Sequence, residues 1–437
     1  MITPAAGNLC NPLRVARTFC LFLLAQTALS CTRSGDGLPP PPLPPVDSSA
    51  INAFINFGTL ISLKDTMKVY DARTGNLVMI SNPYGVLKAA AVNNTTVSDS
   101  LVYQPTVTRL LAMNYKTGMM HFLKYFCPIG YSFGGVSPSF PIIEGNRLYQ
   151  GVFDVNGAFK LFCIDKVTGE TIWEAEQMAA PDHEVYMPSI DQTSNSIVMN
   201  LLDGPASFDK TNGKLIWRNN SSYEFRELDV HPLVYHDEKL FVTSREYRAV
   251  YAFDVKNGDL LWKTELPKDL THCSGKMYTY QNNLYVFSRI YETNQTGFVL
   301  HCIDVNSGAI SKSITLPLAQ WYIQFYDEYF YCYENIDQTF FPQRISKYRL
   351  STGAKIWSND LAGGIYDGVV MTPAFIYCTE TDPLNTSSWQ RVNILDQQDG
   401  AILKIFPVNA PVNFAPVVVD STGKTYQPAR WLGSLYD

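Results

Sequence analysis

The stretch V-Y-A-F-D-V-K-N-G-D-L-L-W, from Val250 to Trp262, decides the fold of this chain, because it is one copy of a phrase that returns along the whole sequence. The phrase is an apolar run, an Asp, a Gly four residues later and a Trp four residues after that. Its eight copies run from Asp71 to Met79, Asn114 to Phe122, Asp165 to Trp173, Asp209 to Trp217, Asp254 to Trp262, Asp304 to Lys312, Arg349 to Trp357 and Asp396 to Lys404. The glycines that anchor them, Gly75, Gly118, Gly169, Gly213, Gly258, Gly308, Gly353 and Gly400, lie 43 to 51 residues apart. That period is the length of a propeller blade and is too long for leucine-rich or ankyrin repeats.

One copy, taken with the residues before it, explains why. Residues 229–263 contain four short runs rich in Val, Tyr, Phe and Leu, separated by turn residues at His236 to Glu238, Ser244 to Glu246 and Lys256 to Gly258. Such a pattern predicts a four-stranded antiparallel meander. At the last turn Gly258 supplies a positive φ, and Asp254 accepts hydrogen bonds from turn amides. Trp262 then falls on the outer strand, where a large flat side chain docks on the neighbouring blade. Trp173, Trp217 and Trp357 take the same place, which Met79, Phe122, Lys312 and Lys404 fill in the other copies. Residues 413–427 read as inner strands with no motif after them, while the chain before Asp71 lacks an obvious inner half. Pairing the two ends closes the ring and removes exposed edges. The expectation is an all-β, monomeric, eight-bladed propeller of four-stranded antiparallel blades over residues 51–437.

Composition agrees with many short strands: aromatic residues are 13% of the 437 residues and charged residues only 17%. The formal net charge of -6 gives no reason to expect nucleic acid or an anionic membrane surface as partner.

The first residues differ in kind. Arg14 and Arg17 precede the apolar run from Phe19 to Ala25, and Ala28-Leu29-Ser30 leads to Cys31, so residues 1–30 read as a secretory signal. The segment resembles a bacterial lipoprotein signal, which implies lipidation at Cys31, although Ala28 stands where such signals usually carry Leu. Ala28-x-Ser30 also suits ordinary cleavage, which would leave a soluble periplasmic or secreted protein. Residues 31–50 form a tether in which Leu38 to Pro45 adopts extended polyproline II, about 25 Å long at ~3 Å per residue. Cys127, Cys163, Cys273, Cys302, Cys332 and Cys378 remain in the body. Cys163 and Cys302 sit at matching places of different repeats, as do Cys332 and Cys378, so buried thiols are expected rather than a disulfide framework.

Val250 to Trp262 and Leu161 to Trp173 resemble the repeats of the pyrroloquinoline-quinone-like propeller family, which includes quinoprotein dehydrogenases and BamB-type lipoproteins of outer-membrane assembly. The resemblance covers roughly residues 55–432 and implies the fold more specifically than an activity. A dehydrogenase of this family would be expected to carry adjacent cysteines, a catalytic Asp and calcium ligands, and no Cys-Cys pair occurs. Asp182, Glu184, Asp229 and Asp237 read as loop carboxylates. Gly423-Lys424-Thr425 lacks the first Gly of a phosphate-binding loop, Val418 standing in its place. His121, His183, His231, His236, His272 and His301 show no metal-ligand spacing. No catalytic residue, metal or cofactor is therefore expected.

Function falls to the loops. Long connections at Arg289 to Gly297, Glu334 to Gln343 and Thr379 to Gln390 contribute Tyr291, Phe340, Phe341 and Trp389, aromatic groups among polar residues that suit anchors for a partner. The leading expectation is an exported, lipid-anchored, non-enzymatic scaffold of the BamB type, at the outer membrane and facing the periplasm or the surface, with assembly-machinery proteins as partners. The alternatives are a quinone-dependent oxidoreductase using the central channel and a cell-surface carbohydrate-binding or adhesion module.

Overall fold

The computed structural model describes residues 53–57, 67–71, 77–81, 96–105, 109–126, 141–153, 159–175, 190–201, 204–219, 233–244, 247–267, 272–292, 295–316, 320–334, 343–381, 390–408, 417–419 and 425–426. The chain divides into two units, 1–45 and 46–437, and every described residue belongs to the second. Cys31 and the tether to Pro45 lie outside the described residues, as do Gly75, Cys127, Phe340, Phe341, Trp389 and Gly423.

All described regular structure is β. Seven antiparallel sheets of four consecutive strands, at 96–125, 142–174, 190–218, 234–265, 272–316, 320–360 and 365–408, form the blades of a β-propeller. They are called the first to seventh blades below. The expectation of eight four-stranded blades is corrected here. The first motif copy, Asp71 to Met79, falls in a five-stranded sheet, to which the N-terminal part contributes Ala53–Phe57, Met67–Asp71 and Leu77–Ser81 and the C-terminal part Val417–Val419 and Thr425–Tyr426. Ala53 pairs with Val419 and Ile55 with Val417, antiparallel. The sheet differs because the N-terminal part supplies three strands, two before its motif turn and one after it, and two more arrive from the other end.

In the described motif turns that begin with Asp or Asn, the first residue builds the turn. The Asp165 Oδ1 accepts hydrogen bonds from the amides of Val167 and Thr168, both at 2.8 Å, and the Asp165 carbonyl accepts from the Gly169 amide at 2.9 Å. Asn114 does the same work for Lys116 and Thr117 at 2.9 and 3.1 Å. The turn needs a left-handed residue at its fifth place, and Gly169, Gly213 and Gly258 have φ near +75°. A register shift follows in the third-to-outer strand pairing of every blade, for example between Ala252 and Phe253. On the same side of the blade, the first-to-second strand turns are tight hairpins bonded to the motif turn, as from the Val255 amide to the Glu238 carbonyl at 3.0 Å. Asp237 and Glu238 both take positive φ there, at 48° and 58°.

The core lies between blades. Tyr149, Leu161, Cys163 and Trp173 of the second blade pack with Ile190, Ile197, Met199 and Phe208 of the third. The motif Trp is the recurring clasp. Its indole N–H donates to the carbonyl three residues before the next blade's motif Gly, from Trp173 to Lys210 at 3.0 Å, Trp217 to Val255 at 2.7 Å, Trp262 to Val305 at 3.1 Å and Trp357 to Gln397 at 3.3 Å. The ring covers that Gly so closely that a Cβ on Gly213 would meet Trp173 Cε3 at 2.5 Å. Two residues beyond the Trp, Asn219, Thr264 and Asn359 add a bond to the carbonyl of the same Gly.

Two junctions without Trp keep the arrangement by other means. Phe122 covers Gly169, and the equivalent acceptor, the Lys166 carbonyl, takes a hydrogen bond at 3.0 Å from the Tyr103 hydroxyl. Between the fifth and sixth blades Lys312 Nζ donates to the Ser351 carbonyl at 3.0 Å and Ile314 covers Gly353. That junction also holds Tyr278 stacked on Phe325, with ring centroids 4.8 Å apart, and Phe287 against Phe330 at 5.8 Å.

Candidate functional site

Strand alternation puts all motif turns on one face of the propeller and the second-to-third-strand and blade-to-blade connections on the other. Most connections on that second face fall outside the described residues, and the structure defines the strand ends that carry them. The segment from Arg289 to Gly297 is not the loop expected from sequence. Its strands continue as an antiparallel ladder through Ile290 with Gly297 and Tyr291 with Thr296 to Glu292 with Gln295. In the fourth blade the corresponding ladder ends at Ser244 with Ala249. The fifth-blade hairpin is thus longer by four residue pairs because its alternation of polar and β-forming residues continues to the turn. Tyr291 lies on this ribbon, while Phe340, Phe341 and Trp389 lie in connections outside the described residues. The seventh-blade connection is shorter than expected, since its strands run on to Thr381 and resume at Gln390, while in the sixth blade the strands end at Glu334 and resume at Arg344, as expected.

Beneath those two connections lie paired charges that sequence reasoning missed. Glu334 is directly opposite Arg344 in the sixth blade, and Glu380 directly opposite Arg391 in the seventh. Both carboxylates stand five residues after the residue that faces the motif's first position, the place of Ser244 and Ser288 in the preceding blades. They are almost fully buried, at 2% and 1% exposure. Ionised groups in such positions require donors.

The donors come from several strands. Glu334 Oε1 accepts from the Tyr348 hydroxyl at 3.0 Å, with Arg344 Nη1 and Lys355 Nζ each 3.8 Å from the carboxylate. Arg344 also grips Asp360, Nη2 to Oδ2 being 2.9 Å. This contact holds the Asp360 carboxyl below its ordinary range and raises the Arg344 guanidinium. Burial, with Glu334 beside it, raises the Tyr348 hydroxyl and keeps it protonated as a donor. Glu380 accepts from Arg391 Nη2, Asn393 Nδ2 and the backbone N–H of Gly363, in the connection between the two blades. The two networks fasten strand ends and a blade-to-blade crossover on one face, a rigid base for the segments that leave it. No sequence motif marks them, since Glu and Arg are separated by a connection of different length in each blade.

Cys163, Cys302, Cys332 and Cys378 are single buried thiols, in no disulfide, on the second, fifth, sixth and seventh blades. Burial pushes the Cys163 thiol up to about 11 and raises Cys378 as well, which makes both poor nucleophiles. Among the described residues no three His, Cys, Asp or Glu side chains come together as metal ligands.

A four-stranded blade whose outer-strand Trp clasps the next blade's turn defines the class of protein, a β-propeller with an inter-blade tryptophan clasp. Residues 206–311 match the family model described as outer membrane protein assembly factor BamB. Among solved structures, BamB from Moraxella catarrhalis is 13% identical, with TM-score 0.51, covering 78% of this chain and 98% of that one. Dihydro-heme d1 dehydrogenase NirN is 13% identical, with TM-score 0.59, covering 86% of this chain and 77% of that one. Quinohemoprotein alcohol dehydrogenase ADHIIG from Pseudomonas putida HK5 is 12% identical, with TM-score 0.52, covering 90% and 79%. No curated protein sequence matches the chain. The chain is a β-propeller in which residues 206–311 are similar to pyrroloquinoline-quinone-like repeats.

Proposed function

We propose that the propeller is a non-enzymatic protein-binding scaffold, exported and held at the outer membrane through a lipid on Cys31, with partners of the outer-membrane assembly kind. The observation that carries this reading is the pair of buried Glu–Arg networks, which stiffen the bases of two neighbouring connections on one face. These connections carry Phe340, Phe341 and Trp389, and the long hairpin carrying Tyr291 leaves the preceding blade on the same face. Aromatic anchors on a rigid base lose less conformational entropy on binding than anchors on a mobile one. The match of residues 206–311 to the BamB model supports the choice of partner class.

The test is a pull-down from detergent-solubilised membranes with the full chain. Assembly-machinery proteins should be recovered with the wild type and lost when Phe340, Phe341 and Trp389 are all replaced by Ser. The dehydrogenase neighbours favour a second reading, oxidoreduction with a bound quinone. Dye reduction by the full chain incubated with quinone and calcium would replace the scaffold reading with that one. Labelled palmitate that persists after Cys31→Ala would overturn the anchor.

A further inference from the structure

Three side chains make a row across the fifth blade that neither the clasp nor the candidate face uses. His301, on Gln295–Asp304, is directly opposite Ser313 on the outer strand Ile310–Leu316. Its Nδ1 lies 2.9 Å from Ser313 Oγ and its Nε2 lies 2.6 Å from Ser288 Oγ on the neighbouring strand. Ser288 and His301 are buried, at 0% and 1% exposure, whereas Ser313 lies on the exposed outer strand. A hydroxyl at the surface, an imidazole behind it and a third group that orients the imidazole is the arrangement by which a weak nucleophile is activated.

We infer that Ser313 is an activated hydroxyl that accepts an acyl group from an activated ester or thioester. A neutral imidazole has one N–H and one acceptor nitrogen. With the proton on Nε2, donated to Ser288 Oγ, the Nδ1 lone pair faces the Ser313 hydroxyl and acts as its base. Ser313 Oγ attacks the acyl carbonyl carbon, the hydroxyl proton passes to Nδ1, and the new C–O bond replaces the bond to the leaving alkoxide or thiolate. That leaving group then takes the proton from Nδ1. Transfer stops at the acyl-serine, so the site is a modification site on the rim of the propeller, independent of partner binding on the other surface.

The outer strand supplies its own control. Ser311, two residues away and also exposed, donates its hydroxyl to the Cys302 carbonyl at 3.0 Å instead of facing an imidazole. The full chain is treated with p-nitrophenyl acetate, and both p-nitrophenolate release and the acetylated serine are read by absorbance and peptide mass spectrometry. A burst approaching one equivalent per chain is expected, with acetyl on Ser313 and not on Ser311. Ser313→Ala, on the surface, should abolish the burst. His301→Gln should slow it by about 10²-fold, the effect of removing a general base. Equal acetylation of Ser311 and Ser313 in the wild type, or a burst that survives Ser313→Ala, would overturn the inference whatever His301→Gln does to folding.

Discussion

At the scale of single residues the motif is a device for turning the chain, and the two demands on its glycine, a left-handed φ and room for the clasping ring, can be separated by substitution. Gly213 has φ +74° and lies under Trp173, whereas Gly145 has φ +56° with nothing within 4 Å of a Cβ placed there. Gly145→Ala should cost only the backbone term, about 1 kcal/mol. Gly213→Ala should cost about 2 kcal/mol or more, because the clasping indole must also move. Urea unfolding midpoints of the two variants would check the difference.

The motif carboxylates give a pH dependence of defined sign. Asp165 is held below its ordinary range chiefly by the Thr168 amide, Asp209 by the Thr211 hydroxyl and Asp304 by the Ser307 amide. A carboxylate depressed in the folded state contributes stability above its unfolded value of about 3.9 and loses it as pH falls through the folded value. Thermal midpoints should therefore be steady above about pH 5 and fall progressively below about pH 4. Asp209→Asn, which keeps an acceptor oxygen, should flatten that fall. An acid limb as steep as the wild type's would exclude a contribution from Asp209.

At the scale of elements, the clasp joins each outer strand to the next blade's turn. Trp217→Phe keeps the ring over Gly258 but leaves the Val255 carbonyl without its indole donor, a loss of about 1 kcal/mol. The first-to-second-blade junction already has Phe122, and Tyr103 supplies the missing donor from another strand. Tyr103→Phe should therefore destabilise by a similar amount, about 1 kcal/mol, although it lies outside the motif. Chemical denaturation of the two single variants measures both effects. The docking role of Trp is legible in sequence because the repeat places it at a fixed distance from Gly. The replacement by Tyr103 is not, because Tyr103 and Lys166 are 63 residues apart. The Glu–Arg pairs were hidden for the same reason: they become neighbours only when the hairpin register is set.

At the scale of the whole molecule, the pairing of Ala53–Phe57 with Val417–Val419 brings the two ends of the folded unit into one sheet. Removing residues from 417 onward should lower the thermal midpoint and promote self-association, since it exposes an unpaired strand edge. Light scattering on the truncated chain, compared with the full chain, tests this. Full retention of a monomer would show that the C-terminal strands are dispensable. The period of the repeat made end-to-end pairing readable from sequence, since each end held half of a blade pattern. It did not reveal that the shared sheet has five strands, because the short runs between Ala53 and Asp71 carry too little periodicity to be counted as two.

The sequence by itself determined the all-β repeat, the motif turns and the places of the clasping Trp, because these depend on local backbone chemistry and fixed spacing. Tertiary structure decided what no local pattern encodes. It set the five-stranded sheet, the length of the fifth-blade hairpin and the meeting of Glu334 with Arg344 and Glu380 with Arg391. It also set the row from Ser288 through His301 to Ser313. Each of these rests on which strands lie side by side and in what register, and register is chosen by packing against neighbouring blades.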